Sequence, residues 1–145
     1  MQFIYPATIE DDGAGNLLVT FRDIPFAATE GATIDEALTE ARDCLETAIA
    51  SCIKDKEDIP TPSEVQKGEY PIRLPAQTAS KAALYIAIQK SGISNKSELA
   101  RRLGVNEKEI RRMLDPWHQT KLPRIEAALA ALGYRISITM MKTAA

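Results

Sequence analysis

Ser97-Glu98-Leu99-Ala100-Arg101-Arg102-Leu103-Gly104-Val105-Asn106, continued by Glu107-Lys108-Glu109-Ile110-Arg111-Arg112-Met113-Leu114, decides the reading of this chain. It is two short helical patterns around a glycine-containing turn. Asn95 and Glu98 make a capping box for the first helix, with Ser94 a rival cap, and Asn106 and Glu109 make one for the second. Ala100 is small enough for the second helix to approach closely, and Gly104 permits the sharp exit. Val105, Ile110 and Leu114 can then face one core together. Asn106, Glu107, Lys108 and Arg111 are left on the exposed N-terminal half of the second helix, where a helix-turn-helix contacts base edges. Arg111 could fork to guanine, and Lys108 could reach a base or a phosphate. Glu107 would read cytosine or simply repel wrong partners. Lys96, Arg101, Arg102, Arg112 and Lys121 are suited to phosphates, which set position without reading sequence.

The pattern outward from this pair stays helical on both sides. Ala82, Leu84, Ile86, Ala87 and Ile88 mark a helix that ends before Gly92, and Leu122 to Leu132 marks another that ends at Gly133. Trp117 is expected to pack on the bundle, with His118 near the surface. Tyr134 to Met140 then alternates, with Ile136, Ile138 and Met140 on one side, as in a half-buried strand. Such a strand could serve as a dimer edge or pair back within its own chain.

The front of the chain reads differently. Gln2 to Ile9 and Leu17 to Phe21 read as strands around the turn Asp11-Asp12-Gly13-Ala14-Gly15-Asn16. Ile24 to Thr29 reads as a third strand, limited by Pro25 to an edge or an irregular start. Thr33 and Glu36 form a capping box for a helix whose stripe is Ile34, Leu38, Ala41, Leu45, Ala48 or Ile49, and Cys52. Residues 55 to 68 read as loop, and Tyr70 to Leu74 as a strand returning to the sheet. The fold class is therefore α+β: a β-β-β-α-β domain over 1–75, then an all-helical helix-turn-helix domain with a C-terminal strand over 76–145.

Charge divides at the same place. Residues 1–75 carry 6 basic and 15 acidic side chains, a balance of −9, and residues 76–145 carry 12 basic and 5 acidic, a balance of +7. A change of sign at the middle points to two units with different partners. With 145 residues and 45% hydrophobic residues the chain is a folded, soluble type. Cys44 and Cys52 are too few to staple a secreted scaffold and read as small core residues, so a cytoplasmic location is expected, with no leader segment and no membrane partner.

Catalysis finds little support. One histidine, His118, rules out a multi-histidine metal site. Metal-dependent nuclease chemistry needs several carboxylates converging on ions roughly 4 Å apart. Asp11 and Asp12 sit in a turn, and Asp35 and Glu36 lie in a first helical turn, where backbone effects explain them. Ser97 and His118 are coupled to no acid by any motif. No cofactor and no enzyme activity are expected.

Tyr5-Pro6-Ala7, Val19-Thr20-Phe21-Arg22-Asp23-Ile24-Pro25, Ala28-Thr29-Glu30-Gly31, Glu36-Ala37-Leu38 and Ser97 to Gly104, in this order, resemble the HicB family of antitoxins in its helix-turn-helix branch. The family often has proline-glycine-cysteine where this chain has Pro25-Phe26-Ala27, which marks a subgroup. The resemblance implies a partial ribonuclease-H-like N-terminal domain that neutralises a HicA-type messenger-RNA-cleaving toxin. It also implies a C-terminal domain that binds the operator of its own operon as a homodimer or higher homo-oligomer. Asp11, Asp12, Asp23 and Glu30 are the expected toxin-facing carboxylates, and Ile136, Ile138 and Met140 the dimerising residues. The alternative is a stand-alone helix-turn-helix regulator whose acidic domain senses a ligand or only oligomerises.

Overall fold

A computed structural model describes residues 1–143. The N-terminal unit runs β1 (Ile4–Asp11), β2 (Leu17–Phe21), β3 (Ile24–Gly31), α1 (Ile34–Asp55) and β4 (Tyr70–Arg73). The strands form one antiparallel sheet in the order β3-β2-β1-β4, so β3 and β4 are its edges. Alternation decides which side is apolar: Tyr5 and Ala7 of β1, Val19 and Phe21 of β2, and Ile72 of β4 are all buried. They meet Ala37, Ala41, Leu45, Ile49 and Cys52, the buried stripe of α1. On the opposite face Leu18, Thr20 and Glu30 remain exposed.

Two local features make this packing possible. Pro6, in a central strand, faces Pro71 across the β1–β4 ladder, so two residues without N–H share one rung. Gly31 ends β3 against the first turn of α1, where a Cβ would lie 2.5 Å from the Ala37 nitrogen. Only glycine allows that approach. Thr33 caps α1 as expected, accepting from the Glu36 N–H at 3.2 Å, while the Glu36 carboxylate reaches the Ala32 N–H at 3.1 Å.

The C-terminal unit is α2 (Ala76–Ser91), α3 (Lys96–Leu103), α4 (Glu107–Leu114) and α5 (Leu122–Ala131). Its core joins Leu84 and Ala87 of α2, Leu99 and Ala100 of α3, Ile110 and Met113 of α4, and Ile125, Ala128 and Leu129 of α5. Helix α2 is shared. Its Ala82 and Tyr85 belong to the sheet-side core, and Leu84 and Ala87 to the helical one. Polar contacts secure the same junction: Thr78 donates to Glu46 at 2.6 Å, and the Tyr85 hydroxyl donates to the Glu57 carbonyl at 2.9 Å. The charge divide at 75/76 therefore coincides with the start of α2 but not with a flexible linker.

Two expectations need correction or refinement here. Trp117 does not pack on the bundle: it is 65% exposed. It lies in the loop between α4 and α5, where its N–H is taken by the Asp115 carboxylate at 3.0 Å. The alternating segment from Tyr134 has no ladder partner in the four-stranded sheet, so pairing back within the chain is not observed among the described residues. Ile136 is half-buried beside α2 and α5, but Ile138 is 81% and Met140 95% exposed.

Candidate functional site

Helices α3 and α4 are joined by Gly104-Val105-Asn106, and each is eight residues long. Helices this short are marginal alone, so caps and packing hold them. Asn95, rather than Ser94, caps α3, accepting from the Ser97 and Glu98 N–H groups at 2.8 and 3.3 Å. Gly104 closes α3 in the left-handed region at φ 68°. Asn106 caps α4 by accepting from the Glu109 N–H at 2.8 Å. The Glu109 side chain does not complete the box; it pairs with Arg124 of α5 at 2.6 Å.

Burial separates the two sides of α4. Ile110 and Met113 are in the core, whereas Glu107, Lys108, Arg111 and Arg112 are exposed. Lys96 and Arg101 on α3 and Lys121 before α5 are exposed as well. Among the described residues, ion pairs involve only Arg22 and Arg124 as cations, so these surface cations keep their charge unpaired. Two of the residues expected to meet bases are already engaged internally. Asn106 spends its side-chain oxygen on the cap, and Glu107 accepts from the Ser97 hydroxyl at 2.6 Å, tying α4 to α3.

The expected carboxylates of the acidic unit fall into separate places. Asp11 and Asp12 sit at the β1–β2 hairpin, each using one oxygen on the turn: Asp11 accepts from the Gly13 N–H, Asp12 from those of Ala14 and Asn16. Glu30 is exposed on β3. Asp23 accepts from both the N–H and the hydroxyl of Ser63 at 2.7 Å, so it anchors the segment between α1 and β4. Arg22 beside it donates twice to Glu69 and once to the Glu64 carbonyl. That guanidinium holds the Glu69 carboxyl below its ordinary range, and the Gln66 N–H adds to the effect. Among the described residues no three His, Cys, Asp or Glu side chains gather where they could hold a metal ion. Burial pushes both thiols up, Cys44 and Cys52 alike.

One buried cation was missed by the sequence reading. Lys81 of α2 is completely buried, and its ammonium donates to the Arg112 carbonyl at 2.9 Å, the Asp115 carbonyl at 2.6 Å and the Thr120 hydroxyl at 2.9 Å. Burial pushes its pKa down, and the Asp115 charge opposes that shift. The available signal was positional: Lys81 lies between Thr78 and Tyr85 on the buried stripe of α2.

An acidic sheet-and-helix unit is continuous, through a shared helix, with a basic unit built around two short helices and a tight turn. The chain belongs to the HicB family of antitoxins. The family model described as a HicB_like antitoxin of bacterial toxin-antitoxin systems matches residues 4–83. Antitoxin HicB of Escherichia coli (strain K12) is 39% identical over 137 residues, covering 94% of this chain and 99% of that protein. Antitoxin HicB 2 of Photorhabdus laumondii is 42% identical over 134 residues, 92% of this chain and 94% of its own. Antitoxin HicB of Pseudomonas fluorescens (strain Pf0-1) is 36% identical over 141 residues, 97% and 95%. The relatives thus extend through the helical half, of which the family model covers only the start of α2. No helix of the described residues is long and apolar enough to cross a membrane.

Proposed function

We propose that this antitoxin neutralises a HicA-type toxin through its N-terminal unit and represses its own operon by binding operator DNA through its C-terminal unit. The observation that carries the reading is the pairing of family membership with the split surface: a −9 unit and a +7 unit in one chain. A toxin that cuts messenger RNA has a basic RNA-binding surface, and an acidic partner that covers it needs no chemistry of its own. Asp11, Asp12 and Glu30 steer the encounter, and the outward sheet residues and loops supply contact area. Asp23 contributes indirectly, by holding the loop that borders β2 and β3. A partial ribonuclease-H-like ancestry suits this unit, which keeps a sheet-and-helix scaffold and uses it for binding.

On the basic unit, Lys108 and Arg111 read bases while Lys96, Arg101, Arg112 and Lys121 hold phosphates. Asn106 and Glu107 act by shaping the turn of α4 that enters the groove. A single small module buries little DNA, so two copies are required, joined through the segment that carries Ile136, Ile138 and Met140. The exposure of Ile138 and Met140 supports that use. The test is co-expression of the full chain with the small basic protein encoded beside it. Growth rescue, co-purification and retention of a duplex from the upstream promoter are expected. Growth arrest despite a folded, abundant chain refutes the antitoxin reading.

A further inference from the structure

The contacts of Lys81 concern the geometry of the helix read above as DNA-contacting. Helix α4 spans only Glu107–Leu114 and is held at three places. Ile110 and Met113 anchor its buried side. At its N-terminal end, Ser97 holds Glu107, and two residues along Arg124 holds Glu109. Its C-terminal end ends in a buried polar knot. The Arg112 carbonyl receives the Lys81 ammonium at 2.9 Å, the Asp115 N–H at 3.2 Å and the Thr120 hydroxyl at 3.3 Å. The Asp115 carbonyl receives Lys81 at 2.6 Å and the His118 N–H at 3.1 Å. A helix C-terminus carries unpaired carbonyls and partial negative charge, so a cation there is favourably placed. This one comes from another helix, α2, and is completely buried, a position that a lysine occupies only when its donors are satisfied.

We propose that Lys81 is a positioning residue for DNA recognition: by holding the Arg112 and Asp115 carbonyls, it sets the register of α4 and hence how Lys108 and Arg111 are presented. The inference rests on the reading of α4 as the DNA-contacting helix. Three donors from one ammonium reach two backbone carbonyls and one side chain, which restricts both sliding and rotation of a short helix. The same α2 is clamped to the acidic unit by Thr78, so α4 is referenced to the whole molecule rather than to α3 alone.

The experiment uses the full chain with Lys81→Met, which keeps the length and loses the charge. Lys108→Ala with Arg111→Ala serves as the comparison. The probes are a duplex from the promoter upstream of the chain's own coding sequence and a scrambled duplex of equal length. Lys81→Met is expected to lower promoter affinity about tenfold, about 1.4 kcal/mol, and to leave scrambled-duplex affinity and its salt slope unchanged. Amide exchange should quicken in residues 107–115 and stay unchanged in α1. A purely structural role would lower the melting temperature without separating the two duplexes. If Lys81→Met does not fold, Thr120→Val, which removes one acceptor of the knot, is measured in its place with the same expectation. Full promoter affinity in a folded Lys81→Met or Thr120→Val chain overturns the inference, provided the Lys108 and Arg111 double variant has lost it. Full affinity in that double variant overturns the DNA-contacting reading itself.

Discussion

Replacing Lys108 and Arg111 together by alanine removes the two cations proposed to read bases, and the structure says what else should change. Both are exposed, neither enters an ion pair among the described residues, and the buried side of α4 belongs to Ile110 and Met113. Alanine is a better helix former than either residue it replaces. Folding stability should therefore move by less than about 0.5 kcal/mol. On DNA the outcome is different. A lost bidentate base contact costs about 1–3 kcal/mol, so two independent ones cost about 2–6 kcal/mol. At about 1.4 kcal/mol per decade, promoter affinity falls between about 30-fold and about 20,000-fold. The salt dependence separates base from phosphate contacts. If the two cations held only phosphates, the slope of log K against log salt would shrink by about 0.9 for each, and all duplexes would lose affinity alike. If they read bases, the loss concentrates on the promoter. Fluorescence anisotropy titrations at several salt concentrations, with circular dichroism alongside, measure all of this. Unchanged promoter affinity in a normally folded double variant would refute the assignment of α4 as the reading helix.

Three further outcomes are expected. Ile138→Glu with Met140→Glu should leave the fold of each chain intact, because both side chains face solvent, yet light scattering should show a smaller species; an unchanged mass excludes this segment as the essential contact. Asp11→Asn with Asp12→Asn should keep the hairpin, since an amide oxygen can still accept the turn N–H groups, and should slow toxin association most at low salt; a rate that responds neither to salt nor to the substitution rules out steering by these charges. Gly31→Ala should destabilise the N-terminal unit by about 1–3 kcal/mol, because its Cβ would strike the α1 backbone rather than a side chain that can turn away. A thermal melt indistinguishable from that of the parent chain would contradict that close approach.

Much of this architecture is written in local pattern. The caps at Thr33, Asn95 and Asn106, the stop at Gly104 and the stripe of α1 from Ala41 to Cys52, though not the exposed Ile34, depend on residues three or four positions apart, so they could be read directly. The order β-β-β-α-β followed by helices, and the division of charge, are equally properties of the linear chain, and together with the motif order they suffice to indicate the HicB family. Contacts between distant positions were not legible. Asp23 looks like any surface carboxylate until Ser63, forty residues later, is folded onto it. Pro6 looks unsuited to a central strand until Pro71 faces it. Trp117 looks like core until the fold leaves it exposed in the loop between α4 and α5. Lys81 itself counted only as one of twelve positive charges in the basic half: its place on the stripe of α2 could be read, but not the carbonyls that enclose its ammonium. A helix or turn is decided by neighbours along the chain, whereas the work of a charge is decided by what desolvates it and what donates or accepts around it, and those groups arrive only with the tertiary fold.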